Sequence, residues 1–305
     1  GIRDLVRSRG LGDVYKRQLK PTLLSRLIRQ ACYVSAGVLF GQQALAGPEG
    51  GQIVGGEGSI SQSGATTTVQ QSSQNLAIEW QQFNVAAEET VRFVQPSSDA
   101  AVLNRILDQN PSQIFGSIEA NGRVFLINPN GLIFGQTANV NVGSLVASTL
   151  DISTADFMEG NYTFKAPEGG EGGMVVNRGI MKAATGGSIN LIGGTVSNEG
   201  LILADYGQVN LGAGRQVTLD FDGDGLIRFQ VDEEVLTNAA GIDSAVSNSG
   251  QISAEGGSVL LTAQAARDVF SSVVNNEGVI RAGRIENQGG VVRLVGSGGL
   301  TANSG

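Results

Sequence analysis

Apolar and polar residues alternate along residues 50–150 in short runs that Gly, Asn and Pro interrupt. Residues 66–70, Thr-Thr-Thr-Val-Gln, read as a strand because β-branched side chains suit a pleated surface. Residues 75–85 carry apolar side chains at 76, 78 and 80, then at 83 and 85. That is a period of two with one slip, the pattern a β-bulge produces. Residues 91–95 predict another strand, which Pro96 stops because it cannot donate to a ladder. Residues 101–107 fit a strand, or a helix with Val102, Leu103, Ile106 and Leu107 on one face. Trp80 and Phe83 read as core plugs, with partner contact as the rival role.

Two further β-rich runs, 113–119 and 123–127, flank Asn121-Gly122. Asn-Gly between such runs predicts a tight hairpin, because both turn positions favour φ > 0. Asn128-Pro129-Asn130-Gly131 then precedes the apolar run 132–135. Asn at the first position can bond its own backbone, Pro presets φ at the second, and Gly closes the turn.

Between residues 172 and 305 one pattern recurs four times: Asn-x-Gly, a short strand, a Gly turn and a second strand. The leading asparagines are Asn177, Asn198, Asn248 and Asn276, and the later glycines are Gly187, Gly207, Gly257 and Gly290. Their offsets are 10, 9, 9 and 14, the last stretched by an insertion at 283–287. One such unit cannot bury its apolar side chains alone, whereas stacked units form a continuous core. Strands recurring in phase without helices between them predict a solenoid of parallel strands, in which each Asn can bond its equivalents above and below. Residues 212–245 break the pattern. Residues 217–231 predict a hairpin leaving the coil, turning at Asp224-Gly225. Asp220, Asp222 and Asp224 imitate the start of an EF-hand loop, but its twelfth position is Val231 rather than Glu, so a plain hairpin is the better reading.

Composition supports an all-β chain. There are 45 Gly, 6 Pro and few aromatics at 5%, so the core must be filled by Val, Ile, Leu and Ala. Residues 1–46 hold eight Lys/Arg and two Asp/Glu, so the remainder carries 20 − 8 = 12 basic and 28 − 2 = 26 acidic residues, a net −14. An acidic body without a basic stripe speaks against nucleic acid and against docking on anionic lipid. Cys32 is the single cysteine and His is absent, which removes disulfides and the commonest general base and metal ligand. No catalytic residue, cofactor or metal site is expected.

Residues 1–18 lack Met and periodicity and read as a linker or artefact. Residues 19–46 read as a signal peptide: a basic stretch with Lys20, Arg26 and Arg29, an apolar run over 31–40, and the small pair Ala44 and Ala46 as the cleavage site. The run is too short to cross a membrane, which takes ~20 residues. Residues 47–165 are then the N-terminal part of the body and 166–305 its degenerate repeats.

Residues 75–83 (N-L-A-I-E-W-Q-Q-F), 101–106 (A-V-L-N-R-I), 114–122 (I-F-G-S-I-E-A-N-G), 128–135 (N-P-N-G-L-I-F-G) and 140–149 resemble the secretion domain of two-partner secretion exoproteins, the filamentous haemagglutinin family. The resemblance runs from about residue 50 to the end. It implies a right-handed parallel β-helix with extra-helical β-hairpins. It also implies recognition in the periplasm by an outer-membrane transporter carrying POTRA modules, and a secreted or cell-surface destination in a Gram-negative bacterium. The family's Asn-Pro-Asn-Gly-Ile secretion motif corresponds to Asn128, Pro129, Asn130, Gly131 and Leu132, with Leu in place of Ile. A second family motif, Asn-Pro-Asn-Leu, leaves only Asn110 and Pro111 as a remnant. The function implied is the secretion domain of a large adhesin or haemagglutinin-like exoprotein, acting on a host or cell-surface receptor. The rivals are a β-helical polysaccharide-cleaving enzyme and an inert spacer. An enzyme needs clustered carboxylates, whereas Glu168 and Glu171, and Asp232, Glu233 and Glu234, read as solvated surface.

Overall fold

The computed structural model describes residues 47–221, 228–238, 241–283, 291–297 and 299–305. They wind into a parallel β-helix with three faces. Each coil runs through the second sheet, then the third, then the first. The coil 132–148 shows the order: Leu132–Phe134, Asn139–Val142 and Ser144–Ser148. Its neighbours are Ser112–Ile114, Ser117–Ala120 and Arg123–Ile127 on one side. On the other lie Met174–Asn177, Ile180–Ala183 and Ser188–Gly193. Among the described residues the first and third sheets have nine strands and the second has seven. The repeat predicted from residue 172 is present, and the parallel stacking begins about a hundred residues earlier than its sequence signature, at Thr66–Gln71 and Asn75–Trp80. The expected signal peptide, with Cys32, Ala44 and Ala46, lies outside the described residues, as do the turn at Asp224-Gly225 and most of the insertion near residue 287.

Inward side chains stack coil on coil in fixed register. Val175, Val196, Val246 and Val274 form one column. Ile118, Val140, Met181, Ile202 and Ile252 form a second. Leu126, Ala147, Leu191, Leu211 and Leu261 form a third, and all belong to one buried core. A ladder of amides runs beside them. Asn177 donates to Asn198 at 2.8 Å, Asn198 to Asn248 at 2.7 Å, Asn248 to Asn276 at 2.7 Å and Asn276 to Asn303 at 2.7 Å. This is the coil-to-coil bonding that the repeated Asn predicts.

The paired glycines of the repeat have a steric cause. A Cβ on Gly207 would sit 1.8 Å from the Gly187 carbonyl oxygen, and one on Gly257 would sit 1.9 Å from that of Gly207. The same holds at the next corner, where a Cβ on Gly250 would lie 2.2 Å from the Gly200 oxygen and one on Gly278 2.1 Å from the Gly250 oxygen. Two glycine columns therefore let neighbouring coils approach closely enough to bond at their corners.

Three sequence readings change. Asn121-Gly122 is not a hairpin turn. Ser117–Ala120 pairs in parallel within the third sheet and Arg123–Ile127 within the first, so the dipeptide is a corner. Gly122 is required there because a Cβ would meet the Ala100 oxygen at 2.6 Å, and Asn121 clamps the adjacent coil through reciprocal 2.8 Å bonds with the Gln95 backbone. Residues 75–85 are not one bulged strand. The strand Asn75–Trp80 ends, the chain turns, and Phe83 and Val85 plug the core from the corner. Trp80 and Phe83 meet edge to face at 5.6 Å, both 1% exposed, which assigns them to the core. The ambiguous run is the strand Ala101–Ile106, apolar on both sides because both faces are covered.

The second cover is an excursion. Gln216–Asp220 and Arg228–Glu233 form the predicted antiparallel hairpin, and Tyr162–Lys165 joins it as a third strand that the sequence pattern did not reveal. Preceding that strand is the helix Thr154–Glu159, capped by Ser153 and closed by Gly160 at φ +83°. Together they lay Phe157, Tyr162, Phe164, Val217 and Leu219 over Leu103, Phe125, Val146 and Ile192 of the first sheet. Arg105 pins the excursion, donating to Asp151 at 3.0 Å, Glu79 at 3.2 Å, Thr154 at 2.9 Å and the Ile152 carbonyl. Glu171 departs from the solvated surface expected of it. It accepts from the Leu236 backbone at 3.0 Å and lies 3.7 Å from Arg215.

Gly207→Ala should destabilise the protein by about 2–3 kcal/mol, because overpacking cannot be relieved against a backbone oxygen. Asn248→Ala should cost about 1–3 kcal/mol by stranding its ladder neighbours. Urea unfolding of residues 47–305 checks both. Burial pushes the Tyr162 phenol above its ordinary value of 10.0, with the Arg123 charge opposing. Its contribution is therefore complete below about pH 10 and lost as pH rises through the folded-state value. Tyr162→Phe should flatten the alkaline limb of a stability-versus-pH curve.

Candidate secretion-recognition site

The residues singled out as secretion motif form the corner between a first-sheet strand, Arg123–Ile127, and a second-sheet strand, Leu132–Phe134. Gly131 N–H donates to the Asn128 carbonyl at 3.0 Å, which closes the predicted turn. Asn130 N–H donates to Asn128 Oδ1 at 2.9 Å, the side-chain turn expected of an Asn in first position. Gly131 takes φ +130°, a conformation that favours glycine.

The corner is tied to both neighbouring coils. Asn128 is fully buried, and its Nδ2 donates to the Asn110 carbonyl and to Ser112 Oγ, both at 3.0 Å. Asn130 Nδ2 donates to the Asp108 carbonyl at 2.8 Å. A Cβ on Gly131 would lie 3.2 Å from Pro111 Cβ. On the far side, Gly173 N–H donates to the Pro129 carbonyl at 2.9 Å. The two motif fragments, eighteen residues apart in the chain, thus stack one above the other. Leu132 is fully buried in the core, between Ser112 and Val175 in register.

This geometry divides the motif. The Asn128 amide spends both its N–H donors and its oxygen inside the protein, so it fixes the corner. Asn130 and half-buried Pro129 carry the outward surface. Pro129 also borders a cleft of about 560 Å³ lined by Asp151, Asp156, Thr163 and Lys165. Two polar residues of the strand Ala101–Ile106 were given no role by the sequence reading. Asn104 faces inward, accepting from Trp80 Nε1 at 3.0 Å and donating to the Phe125 carbonyl at 3.1 Å. Arg105 is the anchor described above. Their signal was a polar pair inside an apolar run. Among the described residues no group of three or more His, Cys, Asp or Glu gathers where it could hold a metal ion, and no helix is long and apolar enough to cross a membrane.

Residues 44–304 match the family described as the TPS secretion domain. The chain belongs to that family. It is therefore a secretion domain of the two-partner secretion exoproteins. It is similar to a heme/hemopexin-binding protein of Haemophilus influenzae, at 33% identity over 288 residues, which is 92% of this chain and 30% of the relative. A second heme/hemopexin-binding protein of that species matches at 39% identity over 97 residues, 32% of this chain and 10% of the relative. The chain thus spans under a third of the length of these relatives. Among solved structures, the HMW1 secretion domain from Haemophilus influenzae superposes with a TM-score of 0.71 at 31% identity, covering 83% of this chain and 65% of that one. These relatives are thus one secretion domain and two heme/hemopexin-binding proteins.

Asn128→Ala should cost about 1–3 kcal/mol, since it strands the Asn110 carbonyl, Ser112 and the Asn130 N–H. Asn130→Ala, at an exposed position, should cost under about 1 kcal/mol. Denaturant midpoints of the two variants, compared at unchanged slope, check the division of roles.

Proposed function

We propose that this TPS domain is recognised in the periplasm by an outer-membrane pore partner bearing POTRA modules, and that it leads a large surface adhesin or haemagglutinin-like protein out of the cell. Residues 19–46 act as the export signal, cleaved after Ala46. Residues 47–165 carry recognition, with Asn128, Pro129, Asn130, Gly131 and Leu132 as the motif and Asn110 and Pro111 as its second layer. Residues 166–305 begin the repeating shaft.

The observation that carries the reading is the stacking itself. Among the described residues each inner coil bonds the coils before and after it, so folding can advance along the chain as it emerges and disfavour return. The body contains no cysteine, so no disulfide can lock it during passage through an oxidising compartment. The polysaccharide-cleaving and spacer readings lack comparable support. Glu171 and Asp232, two of the acids considered for catalysis, are engaged in hydrogen bonds that hold the excursion. The relatives' names add capture of heme or hemopexin as a second cargo role, to be tested in the longer protein.

Expression of residues 19–305 in a Gram-negative host, with and without the cognate pore partner, tests the proposal. Release into the medium only with the partner is expected. Equal accumulation in both strains would show that the fold is shared without the route.

A further inference from the structure

A β-helix leaves the edge of each sheet open at its N-terminal end unless something closes it, and open edges invite strand addition. The three edges differ here. The second sheet begins with Ser112–Ile114, whose outer side is covered: Val85 N–H donates to the Gln113 carbonyl at 2.9 Å and Phe115 N–H to the Val85 carbonyl at 2.7 Å. The first sheet begins with Gln52–Gly55, a four-residue strand whose register breaks between Ile53 and Gly55. Short, irregular strands are poor templates.

The third sheet begins with Gly58–Ser63, six residues in unbroken antiparallel register with Thr66–Gln71. Its sequence, Gly-Ser-Ile-Ser-Gln-Ser, holds no Lys, no Pro and no charge, so it carries none of the usual devices that blunt an edge. It is also held firmly in place. Ser72 N–H donates to the Glu57 carbonyl at 2.8 Å, Glu57 N–H donates to Ser73 Oγ at 2.8 Å, and Ile60 packs on the core. Ser59, Ser61 and Ser63 are exposed.

The surrounding charge selects the occupant. Residues 47–150 contain three cations, Arg92, Arg105 and Arg123, and each is already in an ion pair. Glu49, Glu57, Glu88 and Asp108 belong to no ion pair among the described residues. A second copy of this acidic chain would be repelled at such an edge, whereas a strand flanked by Lys or Arg would be attracted.

We propose that Gly58–Ser63 is the docking edge for the pore partner: an extended strand of its periplasmic module, flanked by basic side chains, adds to the third sheet as a tenth strand. This rests on the transporter reading above and names its point of contact. Backbone bonds would give affinity with little demand on sequence, and the flanking charge would give orientation.

The test is titration of residues 47–305 with the purified periplasmic module of the cognate pore partner, with amide exchange read in the complex. Saturable binding that weakens with salt, and new protection at 58–63 but not at 123–127, is expected. Ser59→Lys with Ser61→Lys, on exposed positions, should leave the unfolding midpoint unchanged and weaken binding at least ten-fold. Wild-type binding that the double variant retains, without protection at 58–63, would overturn the edge and leave the transporter reading intact. Absence of wild-type binding would overturn the transporter reading itself. A self-dimer in sedimentation that the double variant abolishes would overturn the choice of occupant.

Discussion

The structure depends on how closely one coil can approach the next. Parallel coils must bond backbone to backbone around almost their whole perimeter, because buried peptide groups left unpaired are costly. Flat sheet segments achieve this readily, but corners do not, since side chains crowd there. The glycine columns through Gly143, Gly187, Gly207 and Gly257, and through Gly179, Gly200, Gly250 and Gly278, remove the obstacle. Gln208 N–H reaches the Gly187 carbonyl at 3.2 Å and Gln251 N–H the Gly200 carbonyl at 2.8 Å, so the ladder continues through both corners. The high glycine content is thus a packing requirement of this architecture.

Once the coils are in contact, the interior needs only shape and satisfied polarity. Val, Ile and Leu supply the first in register, and the Asn177-to-Asn303 ladder supplies the second. The N-terminal coils are built differently. Trp80, Phe83, Phe93 and Phe134 fill their core, and the local hairpin 58–71 caps them. Large side chains and short-range contacts at one end make that end the natural place for folding to begin. The helix Thr154–Glu159 and the three-stranded sheet add a second apolar layer, fastened by Arg105, against the outer face of the first sheet.

Much of this was written in the sequence. The repeated Asn-x-Gly predicted stacked parallel strands and the amide ladder, and residues 217–231 announced a hairpin outside the coil. The misreadings share a cause. Asn121-Gly122 and the slip at Trp80–Phe83 were read with rules for local antiparallel turns, while the corners of a β-helix are set by the neighbouring coil, some twenty residues away. The early coils kept their strands but filled the repeat positions differently, with Ile114-Phe115-Gly116 and Phe134-Gly135-Gln136 where later coils have Asn-x-Gly, so the period was invisible there. Tyr162–Lys165 lacked any signal because its partner strand, Gln216–Asp220, is more than fifty residues away. The candidate site was legible as a turn, and its intraturn bonds were as expected. That Asn110 and Pro111 would sit directly against it depended on coil register.

The proposed export route calls for folding that travels in one direction, from the capped N-terminal coils toward the C-terminal ones. Pulse-labelled hydrogen exchange during refolding of residues 47–305 measures this directly. The account predicts that amides of residues 75–148 gain protection first, followed in chain order by the coils at 174–213 and 244–281. Simultaneous protection of all coils, or protection that starts in the later ones, would contradict it.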